Sequence, residues 1–472
     1  MKTNKICKIL MIFIAIMLCI PSIMYIVRNG TVDGFNCYFS YNLQKNNNEK
    51  MGIINYYVFI SFITIFSILY LVILKEEKNI FKNKKEIFLF ILIISFIFIL
   101  MLPIFSSDIF YYIGDSWIAS KYEKNPYYTT VEDLQRDGIN DEILSNTGYW
   151  KNTVSVYGPL WNSISKLLVS FSFGNVTIAL FIFKITFLLV HLINCYLIYK
   201  ITQDNKYVLM YGINPLILIE LLSNVHNDIF LLLFIYLALF FLIKQKNIFF
   251  MTIFIAMSIA IKYTTVLLVP FILIYYFKDY KLLKRISFCF LSGISIIGIV
   301  IILYMPYYRD ITVFTNMLVQ GTKYSQSLML IALGKLNNNT FKMITDNIMI
   351  VFGILYLAII IKMLLQKELK IEKMFKGYNA IMLFFIFIVL TNFQTWYISW
   401  LIPTIFWQSK NMQNFILMLT ITERIPTYSY FKVGNDIYYY GICYSLRLLE
   451  IAILITIILF FIFKKQNTEK LI

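Results

Sequence analysis

Apolar segments long enough to cross a lipid bilayer recur along this chain, separated by short polar segments. Ile87 to Phe105 and Val176 to Tyr199 are two of them, and a transmembrane helix needs about 20 predominantly apolar residues. Of the 472 residues, 60% are hydrophobic and only 14% are charged, which excludes a water-soluble domain of this size. No long polar linker divides the chain. We therefore predict an all-α polytopic membrane protein that forms one membrane-embedded body over residues 1–472.

The positions of the lysines predict how the spans are oriented. The N-terminal segment MKTNKICK carries three lysines before the first apolar run, and residues 75–86 carry five more. Such segments stay in the cytoplasm by the positive-inside rule. The alternation of apolar and lysine-rich segments gives about 14 transmembrane segments, with a range of about 12 to 14. Both termini are then cytoplasmic, and we expect the protein in the cell membrane.

In this arrangement Ser106 to Tyr157 is a large first extracytoplasmic loop that carries amphipathic helices, between N-terminal spans (1–105) and the remaining spans (158–472). The loop holds eight acidic and four basic residues, although the chain has a formal net charge of +17. A helix that starts at Asp108 places Asp115 on the same face, roughly 10 Å away. This pattern suits one carboxylate base with a second, separate acidic role. It equally suits an amphipathic helix that lies on the membrane with a solvated acidic face.

Four polar clusters fall at the predicted outer ends of the spans. They are Asp108 with Asp115; Glu220 with Asn224, His226, Asn227 and Asp228; Lys262, where two short apolar segments meet; and Gln394 with Trp396 and Tyr397. Ionisable groups cost roughly 2.5 to 3.5 kcal/mol each at the membrane centre, so they gather where they pair or serve a site. Their shared side predicts one extracytoplasmic cavity. Taken singly, each cluster also suits a simpler role: a helix cap, a lysine that snorkels to head groups, or an interfacial aromatic belt.

These residue types suit a reaction between a lipid-borne phosphate ester and a second molecule. A carboxylate takes a proton from an attacking hydroxyl, and a cation neutralises the phosphate that leaves. Aromatic side chains stack on sugar faces. We predict no zinc site, because the six cysteines show no CxxC spacing and the chain has only two histidines.

Four motifs in one order resemble those of the GT-C glycosyltransferases that use polyprenyl-phosphate sugars, notably the first mannosyltransferase of GPI-anchor assembly and the bacterial polyprenol-phosphomannose-dependent mannosyltransferases. They are SDIFYYIGDSWIASKYEKNPY with the later YGPL; NPLILIELLSNVHNDIF; AMSIAIKYTTVLLVP; and NFQTWYISWLIP. The resemblance covers roughly Ser106 to Pro403 and implies a GT-C type multi-span helical bundle.

Residue by residue, the resemblance implies that Asp108 is the catalytic base and that Asp115 is a second acidic position. Lys262, together with His226, would contact the donor phosphate. The remaining residues would line the sugar or acceptor pocket: Tyr112, Tyr157, Asn224, Asn227, Asp228, Gln394, Trp396 and Tyr397. The chain departs from the family in two ways, because the first motif follows the third predicted span instead of the first, and Phe110 takes the place of a second aspartate. We therefore expect no metal or other cofactor, or at most an assisting divalent cation.

The resemblance implies transfer of a hexosyl residue, mannosyl by similarity, from a polyprenyl-phosphate donor to a glycolipid or cell-envelope glycan. Transfer would take place on the outer face of the membrane, by inversion, with no nucleic-acid partner. The alternative is a flippase or transporter of lipid-linked sugars, which usually has repeated halves and a midplane site. The sequence has no internal repeat, and its polar clusters lie on one side. A structural or assembly subunit without catalysis would leave Lys262 and the Asn224 to Asp228 segment unexplained.

Overall fold

The computed structural model describes residues 2–32, 49–314, 338–390 and 393–422, and within these ranges all regular secondary structure is helical. The predicted all-α fold is confirmed. The α-helices are α1 (Lys2–Asn29), α2 (Glu49–Lys75), α3 (Glu77–Ile80), α4 (Lys84–Leu100), α5 (Asp108–Lys121), α6 (Val131–Arg136), α7 (Glu142–Asn146), α8 (Pro159–Ser170), α9 (Val176–Thr202), α10 (Asn205–Gly212), α11 (Asp228–Phe240), α12 (Ile248–Ile261), α13 (Val269–Tyr276), α14 (Leu282–Tyr304), α15 (Asn338–Leu364), α16 (Ile371–Phe384) and α17 (Lys410–Thr422). Short 3₁₀ helices cover Gly148–Trp150 and Tyr263–Leu268, a longer one covers Thr395–Trp407, and π-helical turns cover Ile217–Ser223, Phe241–Gln245 and Phe385–Val389.

Six of the described helices are long and apolar enough to cross a membrane: Ile6–Asn29, Val58–Lys75, Val176–Thr202, Asp228–Gln245, Leu282–Tyr304 and Asp346–Leu364. A seventh span results if α10 and the π-helical turn Ile217–Ser223, which meet at a bend of 57°, form one broken crossing. The protein is thus a polytopic membrane protein. The count of about 14 stays a prediction, and the last predicted span, Cys443 to Phe463, lies outside the described residues.

The centre of the bundle is α11, which packs against α9 and α12, while α12 also packs against α14. By contrast, α14 and α15 expose large apolar side chains such as Leu283, Ile297 and Ile354 over most of their length. Exposed apolar surfaces of this kind are suited to contact with membrane lipid. Apolar side chains therefore fill the inside of the bundle and also cover part of its outer surface.

Helix α5 is covered on all sides, since every residue from Ile109 to Ala119 is buried. It packs against α8 and α7, and the segment that follows the 3₁₀ turn Gly148–Trp150 also holds it, because the hydroxyl of Tyr111 donates to the carbonyl of Val154 at 2.7 Å. A helix that lies on the membrane with a solvated acidic face is thus the wrong interpretation of this stretch. Neighbours from distant parts of the chain cover the face that carries Asp115.

The lysine-rich connections and the polar clusters lie at opposite ends of the same helices. Helix α4 starts at Lys84 and leads to Asp108, and α12 follows Lys246 and leads to Lys262. Lys8 of α1 forms an ion pair with Glu86 of α4, which places the N-terminal end of α1 at the lysine-rich end. The polar clusters are therefore gathered at the other end, as the alternation predicts.

Candidate active site

The hairpin between α10 and α11 carries the centre of the site. The π-helical turn Ile217–Ser223 precedes its tip, and α11 starts at Asp228. At the tip, Val225 has φ of +60°, a left-handed conformation that is a genuine outlier for a β-branched residue. Strained backbone and π-helical turns both cluster at functional sites. The fully buried side chains of Asn224, His226 and Asp228 all come from this tip.

Glu220, in the π-helical turn, is buried, and both of its carboxylate oxygens accept hydrogen bonds. Its Oε2 accepts a hydrogen bond from the amide of Asn224 at 2.6 Å, and its Oε1 accepts one from the hydroxyl of Thr395 at 3.1 Å. Nε2 of His226 lies 3.3 Å from the same Oε2. The Asn224 amide oxygen in turn accepts from the backbone N–H of Phe105 at 3.3 Å, which ties the hairpin to the segment before Asp108.

Asp108 is the first residue of α5, where the free N–H groups of the helix start favour a negative charge. Its side chain is 16% exposed, and its Oδ2 lies 3.6 Å from Nδ1 of His226. The imidazole thus lies between two carboxylates, one partly open and one buried. The indole of Trp396 stacks on the imidazole at 3.6 Å between ring centroids and 17° between planes.

Lys262 occupies the predicted break between two short apolar helices, in extended backbone (φ −155°, ψ 128°). Its Nζ donates to both carboxylate oxygens of Asp228, at 3.0 and 3.1 Å, and Nε1 of Trp400 donates to Oδ1 of Asp228 at 2.5 Å. The ammonium also lies 4.7 Å from the ring centre of Tyr397 and 5.3 Å from that of Trp400. The lysine side chain remains 17% exposed whereas Asp228 is fully buried.

Four residues of the 3₁₀ helix Thr395–Trp407 make contacts with this site, because the helix brings them together in one short segment. Side chains at i and i+3 eclipse in a 3₁₀ helix, and Tyr397 and Trp400 accordingly stack at 4.3 Å. Together they form a face for the Lys262 ammonium. Thr395 and Trp396, two positions and one position before Tyr397, contact Glu220 and His226.

The YGPL motif packs directly on the break at Lys262. The N–H of Gly158 donates to the carbonyl of Ile261 at 3.1 Å, and a Cβ on Gly158 would lie 2.0 Å from the carbonyl oxygen of Ala260. Only glycine permits this approach. The neighbouring Tyr157 packs edge-on against Tyr112 at 4.9 Å. The motif therefore joins the loop of residues 106–157 to the lysine-bearing helices.

A family model described as alpha-(1->6)-mannopyranosyltransferase, N-terminal domain, matches residues 42–278, half of the chain. The chain belongs to this mannosyltransferase family. The matched range contains Asp108, the hairpin tip and Lys262, three of the four clusters. Among curated proteins and among solved structures, no match was found. The protein is thus a membrane-embedded glycosyltransferase of GT-C type, and the predicted enzyme class is confirmed.

The structure of this mannosyltransferase brings most of the predicted site residues into one contact network: Asp108, Asn224, His226, Asp228, Lys262, Trp396 and Tyr397. Tyr112 and Tyr157 form an aromatic pair beside it, and Gln394 is half-buried at the start of the 3₁₀ helix. Asn227 is fully buried, and neither of its amide atoms hydrogen-bonds to another described residue. The individual roles stay predictions; His226, predicted to contact the donor phosphate, has carboxylates as its immediate neighbours.

Asp115 lies apart from this network, inside the packing of α5. Burial raises the pKa of its carboxyl well above the usual value, and the hydroxyls of Ser155 and Tyr111 lower it only in part. Its buried position favours the protonated form over the charged one. Its predicted role as a second acidic position stays a prediction.

Glu220 belongs to a polar cluster that the sequence predicted, but no role was predicted for it. Lys184 was not among the predicted site residues. This lysine of α9 is fully buried, and its Nζ donates to the carbonyls of Met101 and Ser223 at 2.7 and 2.8 Å. It thereby holds the end of α4 against the end of the π-helical turn, just before the two segments that carry Asp108 and Asn224. A single lysine inside a long apolar run was the available signal.

A metal site finds no support in the contacts of the described residues. Within those ranges, no group of three or more His, Cys, Asp or Glu side chains is arranged to hold a metal ion. Metal independence stays a prediction.

Proposed function

We propose that this mannosyltransferase transfers mannose from a β-linked polyprenyl-phosphate donor to a glycolipid or envelope glycan at the outer face of the cell membrane. Direct displacement inverts the sugar carbon and gives an α-linked product. The family description suggests an α-(1→6) linkage, and thus a 6-hydroxyl as the group that accepts the mannose. The ion pair between Lys8 and Glu86, at the lysine-rich end, supports a cytoplasmic N-terminus and an opposite, outward site.

The proposal rests on the hairpin tip, whose side chains contact two partly exposed groups of opposite charge, Asp108 and Lys262. His226 contacts Asp108, and Asp228, two residues later, binds Lys262. Transfer from a lipid phosphate needs this pair of functions, a carboxylate for the acceptor proton and a cation for the phosphate that leaves. The two side chains are 16% and 17% exposed, so both can meet a substrate.

In the proposed reaction Asp108 takes the proton of the acceptor hydroxyl as its oxygen attacks the mannose C1. Lys262 uses two of its N–H groups on Asp228 and has a third for a phosphate oxygen. The bond between C1 and the phosphate oxygen breaks, and polyprenyl phosphate leaves with the electron pair. The rings of Trp396, Tyr397 and Tyr157 offer surfaces on which a sugar stacks.

The test is transfer of labelled mannose by the full-length protein in liposomes. Polyprenyl-phosphate mannose, its glucose counterpart and GDP-mannose serve as donors, with mannosylated lipids as acceptors. We expect transfer from polyprenyl-phosphate mannose alone, and a loss of at least about 100-fold in Asp108→Asn. Transfer from GDP-mannose would contradict the donor class. An undiminished rate in Asp108→Asn would contradict the base, and movement of the lipid-linked sugar across the bilayer without transfer would contradict the reaction.

A further inference from the structure

We propose that His226 is a proton relay: it takes from Asp108 the proton that Asp108 removes from the acceptor, while Glu220 stabilises the imidazolium that forms. This inference rests on the proposed role of Asp108 as the base. It gives His226 a task within the reaction that needs no contact with either substrate.

The first step of the argument is the fixed position of Glu220. Both of its carboxylate oxygens accept hydrogen bonds, from Asn224 and from Thr395, and its side chain is only 2% exposed. A carboxyl group whose two oxygens both accept hydrogen bonds is an acceptor towards the imidazole as well. With Nε2 at 3.3 Å, it favours the neutral tautomer that carries the proton on Nε2, since a carboxylate accepts but does not donate.

The second step concerns Nδ1, the ring nitrogen that carries no proton in that tautomer. Nδ1 then carries a lone pair, and it lies 3.6 Å from Oδ2 of Asp108. Neither ring nitrogen forms a hydrogen bond with a described residue. The imidazole is fully buried and stacked against Trp396, so the ring stays between the two carboxylates. Catalytic hydrogen bonds are often long without substrate and shorten in the reacting complex.

The proton balance follows from these positions. The acceptor O–H bond breaks as the new O–C1 bond forms, and the proton goes to Oδ2 of Asp108. It then passes to Nδ1 of His226, which restores the Asp108 carboxylate and leaves an imidazolium between two negative groups. After the product leaves, the proton returns through Asp108, the partly exposed member, to solvent.

The charged surroundings of His226 in the described ranges are Asp108 on α5, Glu220 in the π-helical turn, and the pair of Asp228 and Lys262 that follows it. Trp396, from the 3₁₀ helix, is uncharged. The charges of Asp228 and Lys262 offset each other, so Asp108 and Glu220 contribute most of the electric field at the imidazole. Replacing either by its amide removes the carboxylate from one ring nitrogen and leaves the other contact in place.

The two histidines of the chain allow a direct measurement on the full-length protein in lipid nanodiscs. With ¹⁵N-labelled histidine and His191→Gln, only the ring of His226 gives a signal. We expect the Nε2–H tautomer in wild type, and ring ¹⁵N shifts that change in Glu220→Gln and in Asp108→Asn, because each carboxylate contacts one ring nitrogen. A ring whose tautomer and ¹⁵N shifts ignore either substitution would overturn the relay.

The second measurement is the pH dependence of mannosyl transfer. In the proposed relay, transfer needs both Asp108 and His226 free to accept the proton, so both residues shape the acidic limb. We expect His226→Gln to lower transfer by about 10- to 100-fold at neutral pH and to move that limb to lower pH, because only a carboxylate then titrates. His191→Gln is the matched control, since His191 is also buried and stacked on an aromatic ring, Tyr211, but bonds to the carbonyl of Gly212.

The outcomes separate the relay from other roles of His226. A uniform loss of rate with an unmoved acidic limb would mean a structural role, and a raised KM for the donor with an unmoved limb would mean a phosphate contact. Either result overturns the relay and leaves the proposed function standing. Absence of transfer by wild type from every donor overturns the proposed function and the relay together.

Discussion

The ammonium of Lys262 donates to both carboxylate oxygens of Asp228, at 3.0 and 3.1 Å, although only the lysine has any exposure to solvent. The buried carboxylate has no other cation among its described partners, and Trp400 adds a hydrogen bond to it. The pair therefore needs both members: the lysine keeps Asp228 from being an unpaired buried charge, and Asp228 keeps the lysine in place.

Substitutions in this pair should separate folding from chemistry. We expect Lys262→Gln to lower kcat by about 100-fold and to destabilise the protein by roughly 3 to 5 kcal/mol, because Asp228 is left unpaired. The double variant Lys262→Gln, Asp228→Asn should regain most of the stability, since no buried charge remains, but none of the transfer. Thermal unfolding in detergent and the mannosyl-transfer assay measure the two effects. Lys166→Gln, at an exposed position of α8, is the matched control.

Recovery of transfer in the double variant would contradict a role for the Lys262 charge in the reaction. Equal stability of the single and double variants would contradict the pairing.

Asp115→Asn should keep wild-type transfer, in contrast to Asp108→Asn. The folded-state pKa of Asp115 lies above the unfolded value of about 3.9, so its contribution to stability is complete below that pH and is lost as pH rises towards the folded-state pKa. Asparagine has nearly the shape of the protonated acid but cannot ionise. The variant should therefore gain stability over wild type as pH rises above about 4. Melting temperatures from pH 4 to 8 measure this, and a variant that is less stable at pH 7 would contradict it.

Gly158→Ala should damage the site through a backbone contact. Gly158 has φ of −68°, which alanine also adopts, so the effect comes from the Cβ, 2.0 Å from the carbonyl oxygen of Ala260. We expect a cost of about 1 to 3 kcal/mol and a loss of transfer of about 100-fold, because the Lys262 break must shift. The control is Gly293→Ala in α14, where a Cβ meets nothing within 4 Å. Equal behaviour of the two variants would contradict the close approach.

Removal of divalent cations should leave transfer unchanged. Phe110 stands where a second aspartate would complete a D-x-D pair, and the described residues hold no cluster arranged for a metal. The measurement is the initial rate after dialysis against EDTA, with and without added Mg²⁺ or Mn²⁺. A loss that either ion restores would instead assign an assisting cation to the site.

The sequence predicted where the site residues lie along the helices because helix ends depend on local signals. A helix that starts at Asp108, a break at Lys262 and a hairpin tip from Asn224 to Asp228 are all present. Sequence order and the positive-inside rule were also enough to predict that these ends meet on one side.

The sequence could not predict which atoms would pair. The stacking of Tyr397 on Trp400 depends on a 3₁₀ helix of 13 residues, whereas such helices rarely exceed three or four. The burial of Asp115 depends on α8 and on the segment after Trp150, which are distant in sequence. For the same reason Glu220 seemed only one member of a polar run, although the chain brings Thr395 to it across 175 positions.

The contacts of residues 106–158 also impose an order on biosynthesis. Gly158 bonds to Ile261, and Asn125 donates to the carbonyl of Tyr307, so partners of this stretch are translated about 100 and 180 residues later. At about 5 to 20 residues per second, a ribosome needs roughly 8 to 30 s between Tyr157 and Tyr307. During that interval Asn125 has been synthesised but its partner segment has not. A nascent chain of this enzyme thus completes the packing of this loop only after its later helices are made.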